Sequence, residues 1–263
     1  MRPKNNREGK ETSLFPLFYG TIGKFVLTYI IGDNNRFRPF FKEAFHLSDS
    51  DFSIIKEYIA KLHPEADPFF QRMEDYAKEH SVPIMEKSGL QVMLHYFRHI
   101  QPKKVLEIGT AIGYSALKMI EACPESHVYT IERDLKRVEE ANQFIAQKNQ
   151  SGSITILVGD ALHISEEAAK YAPFDILFID AAKGQYRKFF ELYSPYVQEG
   201  GFIFSDNVLF KGLVAGTSQE LNKRIEKIIA KIQFYNEWLN SHPSFDTILL
   251  PVGDGLAVSR KKE

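Results

Sequence analysis

Cysteine is almost absent: Cys123 is the one thiol in 263 residues. An internal disulfide framework is therefore excluded, and with no histidine-bearing motif beside it Cys123 reads as a packing residue at a helix end. A cytoplasmic setting is the expectation that follows. An excess of charge is missing too, since 33 basic residues stand against 34 acidic ones. The net charge of −1 gives no general pull towards nucleic acid, so any polyanion site has to be a local patch. A clean apolar run is also lacking. Leu14 to Ile31 is apolar but broken by Pro16, Gly20, Gly23 and Lys24, which makes a poor spanning helix and a poor signal peptide. No membrane insertion is expected, and no repeat or low-complexity segment is present.

What is present suffices for one good core, with 44% of residues hydrophobic. The expected organisation is an N-terminal extension, residues 1–46, and one α/β domain over 47–263. Two readings of the extension stand: a loosely ordered segment, or a membrane-surface or partner-binding arm built on Phe15, Phe18, Phe25, Phe37, Phe40, Phe41 and Phe45.

The stretch KVLEIGTAIGYSALKM, Lys104 to Met119, organises the rest. Val105, Leu106 and Ile108 read as a buried strand that closes on Glu107 and a glycine turn, and the turn opens directly into a helix. Gly109 and Gly113 permit tight backbone geometry, and the amides after them face the crevice at the carboxyl end of the strand. Three residues separate the first glycine from the next, not one, so this is not the dinucleotide fingerprint. An acid leading into the turn suits a ligand with a cationic end.

Helices are expected from Asp51, over Pro68 to His80, and over Leu90 to His99 after a bend at Val82 to Gly89. Strands and helices then alternate. The second strand, His127 to Ile131, ends in Glu132, where a doubly wound fold presents a carboxylate to ribose hydroxyls. The third, Ile154 to Val158, leads to Asp160, an acceptor for an adenine amino group, and to Ala161, whose N–H faces the ring. Phe174 to Ile179 ends in Asp180, and Phe202 to Phe204 leads to Asp206 and Asn207. Acids at successive strand ends are the layout of a parallel sheet with its site along one edge. Asn222 to Leu239 reads as a long amphipathic helix with Ile225, Ile228, Ile229 and Ile232 inward, and Thr247 to Leu250 with Leu256 to Ser259 as a closing antiparallel hairpin.

Asp180, Asp206 and Asn207 offer only oxygen donors, which suits a hard divalent ion such as Mg²⁺ and not zinc. Taken singly they read as caps of the helices that follow. Lys183, one helical step beyond Asp180, changes the weighing, because a cation and a nearby lysine both ease loss of a hydroxyl proton. That is the chemistry of oxygen methylation.

The runs VLEIGTAIGYSA, TIERD, GDA, FIDAAKGQY, SDNVLFKG and PVGDGLAVS together resemble the cation-dependent O-methyltransferases of catechol and caffeoyl-CoA type, within the class I S-adenosylmethionine methyltransferases. VPIMEKSG, DNVLFKGLVA and NEWLNSHP are most similar to the branch that methylates 5-hydroxyuridine in bacterial tRNA. The resemblance runs from about Asp51 to the C-terminus. It implies a Rossmann-like seven-stranded, mostly parallel sheet with helices on both faces and an antiparallel last strand. It also implies cofactor contacts from Met85, Glu107, Gly109, Ser115, Glu132, Asp160, Ala161 and Asp180, metal ligation by Asp180, Asp206 and Asn207, Lys183 as the base, and a homodimer.

Three functions compete. The first is S-adenosylmethionine- and Mg²⁺-dependent methylation of the wobble uridine in a tRNA anticodon loop, the second O-methylation of small catechols or phenols, the third a non-catalytic binding module. Retention of Lys183 and the three metal ligands argues against the third. Lys183, Arg187, Lys188 and Lys211 near the metal strands, Lys223, Arg224, Lys227 and Lys231 on one helix, and Arg260 to Lys262 at the end of the chain would have to form a common rim for RNA.

Overall fold

The computed structural model describes residues 49–62, 67–216 and 221–263. The expected extension, with its phenylalanines and its boundary at residue 47, lies outside the described residues. Two compact units divide between Glu65 and Ala66. The first contains helix α1, Asp49–Leu62, on which Ile54, Ile55, Tyr58, Ile59 and Leu62 are exposed.

The second unit begins with α2, Pro68–Glu79, and α3, Lys87–Ile100. Asp67 starts α2 by accepting the N–H of Phe69 at 2.7 Å, and Pro68 fits the first turn, where no backbone donor is needed. The alternating part follows as β1 (Lys104–Ile108), α4 (Tyr114–Ala122), β2 (His127–Glu132), α5 (Leu135–Gln147), β3 (Ile154–Val158), α6 (Ser165–Ala169), β4 (Phe174–Ile179), α7 (Tyr186–Tyr193), β5 (Val197–Ser205), α8 (Lys223–Asn240), β6 (Phe245–Leu250) and β7 (Leu256–Lys261). Most sequence boundaries hold to within two residues. Two short helices, α6 and α7, had no periodic signal long enough to read, α3 starts earlier at Lys87, and β5 extends back to Val197. On α8, Ile229 and Ile232 are buried as expected while Ile225 and Ile228 are only partly covered, and Arg224, Lys227 and Lys231 face solvent.

The seven strands lie in the order β3-β2-β1-β4-β5-β7-β6. Strands β1 to β5 pair in parallel, and β7 inserts antiparallel between β5 and β6. Alternation along the strands feeds two cores. Val105, Ile176, Phe178 and Phe204 pack with α2, α3 and α4 on one face. Leu106, Ile108, Leu177, Ile179 and Ile203 pack with α7 and α8 on the other. Strand order reverses between β1 and β4, so the crevice for a ligand opens at their carboxyl ends, as the switch-point rule requires. Among the described residues no helix is long and apolar enough to cross a membrane.

Candidate active site

Register brings the acids into one row. Ile108 pairs with Ile131 and Ile179, and Ile179 with Ser205, so Gly109, Glu132, Asp180 and Asp206 each stand one position past a matched rung. Hydrogen bonds continue beyond the strands, from Gly109 N to Ile131 O and from Asp180 N to Ile108 O at 3.0 Å, and from Asp206 N to Ile179 O at 3.1 Å. With strands about 4.8 Å apart, the row from β3 to β5 spans roughly 19 Å, the length of an extended nucleoside-sized ligand plus a small acceptor.

At the end formed by β4 and β5, Asp206 is 2% exposed. Asn207 donates from Nδ2 to Asp206 Oδ2 at 2.9 Å, and its Oδ1 accepts from the Lys183 ammonium. Burial pushes the Asp180 carboxyl up, with Lys183 opposing, and burial followed by the charge of Asp180 pushes Asp206 up further. Two carboxylates of like charge, one buried and one half-buried, are electrostatically incomplete, and one lysine does not balance them. Among the described residues no three His, Cys, Asp or Glu side chains form a metal cluster. Two carboxylates and an amide oxygen instead form an all-oxygen set that fits a hard cation such as Mg²⁺. The backbone agrees, for Asn207, Phe210, Lys211 and Gly212 all have positive φ, at 56°, 45°, 56° and 80°. Strain of this kind persists where a loop has to hold side chains in one place.

The middle of the row is the glycine turn. Glu107 is fully buried, on the strand face that also carries Val105. Ser115 donates to its Oε1, Thr130 donates to Oε2 at 2.6 Å, and Thr110 lies 2.6 Å from the Thr130 hydroxyl. Thr110 and Thr130 carried no signal that sequence reasoning used, although Thr130 pairs with Glu107 across the ladder. Burial raises the Glu107 carboxyl to about 7, with the Ser115 and Thr130 hydroxyls working against it. This group binds its proton more tightly in the folded chain, so its contribution to stability is present below about pH 4 and is lost as pH rises through about 7. Glu107→Gln should therefore melt progressively higher than wild type from pH 5 to 8, by at most about 3 kcal/mol. Parallel melting curves test this, and a constant difference would show that the carboxyl is not protonated on folding.

Towards β3, the Glu132 carboxylate accepts the N–H groups of Ala111 at 3.0 Å and of Arg133 and Asp134 at 2.9 Å, which fastens the glycine turn to the end of β2. Asp160 accepts the N–H of Leu162 at 2.9 Å and pairs with Arg133 at 3.2 Å, and these bonds hold its carboxyl below the usual range. Arg133 was not singled out from the sequence. Ala161 is buried and its carbonyl accepts from the Tyr193 hydroxyl at 2.7 Å. Met85 is buried ahead of α3, and a methyl group placed on Gly89 in that helix would lie 4.0 Å from Asp206 Oδ1. The first turn of α3 thus flanks the acidic end. The loop that joins β6 to β7 backs it, with Asp254 O accepting from Leu209 N at 2.9 Å and Phe210 N at 3.1 Å.

Comparison with known proteins bears on this geometry. Residues 67–262 match the model of a family described as O-methyltransferase. A catechol O-methyltransferase of Niastella koreensis is 30% identical over 223 residues, covering 81% of this chain and 99% of its own length. The crystal structure of a Staphylococcus aureus protein provisionally described as a caffeoyl-CoA O-methyltransferase is 35% identical, with a TM-score of 0.75, and covers 79% of this chain and 99% of that one. The SAH-bound methyltransferase PaMTH1 of Podospora anserina shares the fold, with a TM-score of 0.72 at 21% identity over 82% of this chain and 97% of its own.

Proposed function

Since the chain belongs to the S-adenosylmethionine-dependent O-methyltransferase family of caffeoyl-CoA and catechol type, we propose that its acceptor is the 5-hydroxyl of uridine at the tRNA wobble position, giving 5-methoxyuridine. The observation that carries this reading is a basic and aromatic rim beside Lys183. The Arg187 guanidinium stands 5.2 Å from the Phe234 ring centroid and 5.1 Å from that of Trp238, and Phe234 is 53% exposed. Lys231 reaches the carbonyl of Gly184 at 3.4 Å, next to Lys183 in sequence. An exposed ring flanked by cations is suited to stack a splayed base and hold its phosphates, which a free phenol does not need.

In this reading the cofactor lies along the row of acids. Asp160 and the Ala161 N–H take the adenine, Glu132 the ribose, and Gly109, Ser115, Glu107, Met85 and Asp180 surround the methionine end. Asp180, Asp206 and Asn207 would hold Mg²⁺, which when bound polarises the acceptor oxygens and eases loss of the hydroxyl proton. Lys183 sits against Asn207, where the acceptor hydroxyl would dock, and as the free amine takes that proton. S-adenosylmethionine, when bound, would supply the methyl group to the deprotonated oxygen and leave as the neutral thioether, and Lys183 would pass the proton to water. The protein contributes alignment above all.

A small catechol or phenol is the second reading, favoured by the relatedness to the Niastella koreensis enzyme. The two readings separate on charge. Reversing Arg187 together with Lys211 should weaken methylation of hydroxyuridine-containing tRNA by at least tenfold at low salt and flatten its salt dependence, while any catechol turnover changes little. Because Arg187 also pairs with Glu191 at 2.7 Å, the melting point of the double variant serves as a control. Equal losses on both acceptors in a stably folded variant would indicate a damaged site. Brisk catechol turnover with no transfer to such tRNA would assign the enzyme to small phenols.

A further inference from the structure

Beneath the acidic end of the row lies a side chain to which neither the chemistry above nor the packing gives a role. Tyr186 is 1% exposed and its hydroxyl has no hydrogen-bond partner. Of the other aromatic residues of α7 in the same core, Phe189 and Phe190 carry no hydroxyl, and Tyr193 donates its own to Ala161 O at 2.7 Å. A phenylalanine would fill position 186 without leaving a donor stranded, so packing alone does not account for the oxygen. Tyr235 does not partner the hydroxyl. The two rings meet edge to face at 5.6 Å, and the Tyr235 hydroxyl is engaged with Ser205 at 2.8 Å. Burial above all, and after it the Asp180 and Asp206 carboxylates, push the phenol well above its ordinary range. Asn236 carries the second stranded polar atom among the described residues. Its Oδ1 is unpartnered while its Nδ2 holds the Val208 carbonyl at 2.8 Å, two residues past Asp206. A lone donor and a lone acceptor thus lie under the segment that presents Asp206 and Asn207.

We propose that Tyr186 is a positioning residue whose hydroxyl donates, directly or through one buried water, to the Asp180 carboxylate and fixes its orientation once a divalent cation is held by Asp180, Asp206 and Asn207. The inference rests on the cation reading given above. A ligating carboxylate has a free lone pair behind the metal, and a donor there sharpens both its geometry and its affinity.

The probe is Mn²⁺, followed by the loss of the free-ion paramagnetic resonance signal on the full chain, with melting curves of the metal-free protein. Tyr186→Phe should weaken Mn²⁺ binding by about 10- to 100-fold and leave the metal-free melting point equal to or above that of wild type, since it deletes a donor that has no acceptor. Incorporating 3-fluorotyrosine at position 186, a stronger donor of nearly the same size, should shift the affinity in the opposite direction. Unchanged affinity in both substituted proteins overturns the inference, as does a marked fall in the metal-free melting point of Tyr186→Phe, which would show a structural partner. A wild-type chain that binds no Mn²⁺ removes the cation reading itself and this inference with it, a result distinct from wild-type binding that Tyr186→Phe leaves untouched.

Discussion

Gly109→Ala should lower the melting point by roughly 10 °C, far more than the same change at Gly113, although both glycines belong to one turn. Gly109 has a φ of 107°, outside what alanine adopts comfortably, and a Cβ there would lie 2.1 Å from the carbonyl oxygen of Asp180 and 2.9 Å from its carbon. Neither backbone can retreat easily. Gly109 N is bonded to Ile131 O and Asp180 N to Ile108 O, both at 3.0 Å. Backbone strain of about 1–3 kcal/mol adds to an overlap of about 1–3 kcal/mol, and about 4 kcal/mol corresponds to roughly 8–16 °C for a domain of this size. At Gly113 the φ is 80° and the nearest atom is Ala141 Cβ at 3.5 Å, an ordinary contact, so only the conformational term of about 1 kcal/mol remains. Calorimetric melts of the two variants decide the matter, and equal shifts would mean that the contact with Asp180 does not carry the effect.

That contrast marks where sequence reading stops. The glycine turn was legible because an apolar run, an acid, two glycines and a helical period follow one another locally, and all of that information lies within sixteen residues, Lys104 to Met119. The use of Gly109 was only half legible. Ligand approach could be expected from the turn, but the close approach of the Asp180 carbonyl depends on β4 being the neighbour of β1, 70 residues away in the chain. The same limit separates the acids from their partners. Asp180, Asp206 and Asn207 announce themselves at strand ends, whereas Tyr186, Asn236 and Asp254 meet that end only through the fold. Glu107 shows a further case. Its place before the turn pointed towards a cofactor, and the structure adds a buried seat with hydroxyls from Ser115 and Thr130, because alternation puts residue 107 on the same strand face as Val105. Short helices were missed for a related reason: α6 has five residues and α7 eight, too few turns for a period to emerge.

Asp206→Asn should reduce methyl transfer on the order of 10³-fold and yet raise the melting point of the metal-free chain. The two effects have one origin. Asp206 is 2% exposed, beside the half-buried carboxylate of Asp180, and its shape is already accommodated, with Asn207 Nδ2 at 2.9 Å from Oδ2. Asparagine keeps that volume and an oxygen to accept the same bond, while it removes the buried member of two like charges, so the metal-free fold should gain stability. Transfer loses what the charge was there to attract. A bound divalent ion contributes several kcal/mol to stabilising charge as the acceptor oxygen becomes nucleophilic, and about 4 kcal/mol corresponds to roughly a thousandfold in rate. Cofactor binding should change little, because the contacts proposed for adenine and ribose lie at Asp160 and Glu132, over β3 and β2. Lys183 remains, but with a weaker field around Asn207 it has less to work with, and it does not restore the rate alone. The measurements are melting curves of both proteins in EDTA, calorimetric titration with S-adenosylmethionine, and single-turnover transfer with saturating Mg²⁺. A variant that keeps wild-type rates in excess EDTA would sink the metal reading, and a variant that melts lower than wild type without metal would show that Asp206 serves the fold before it serves the chemistry.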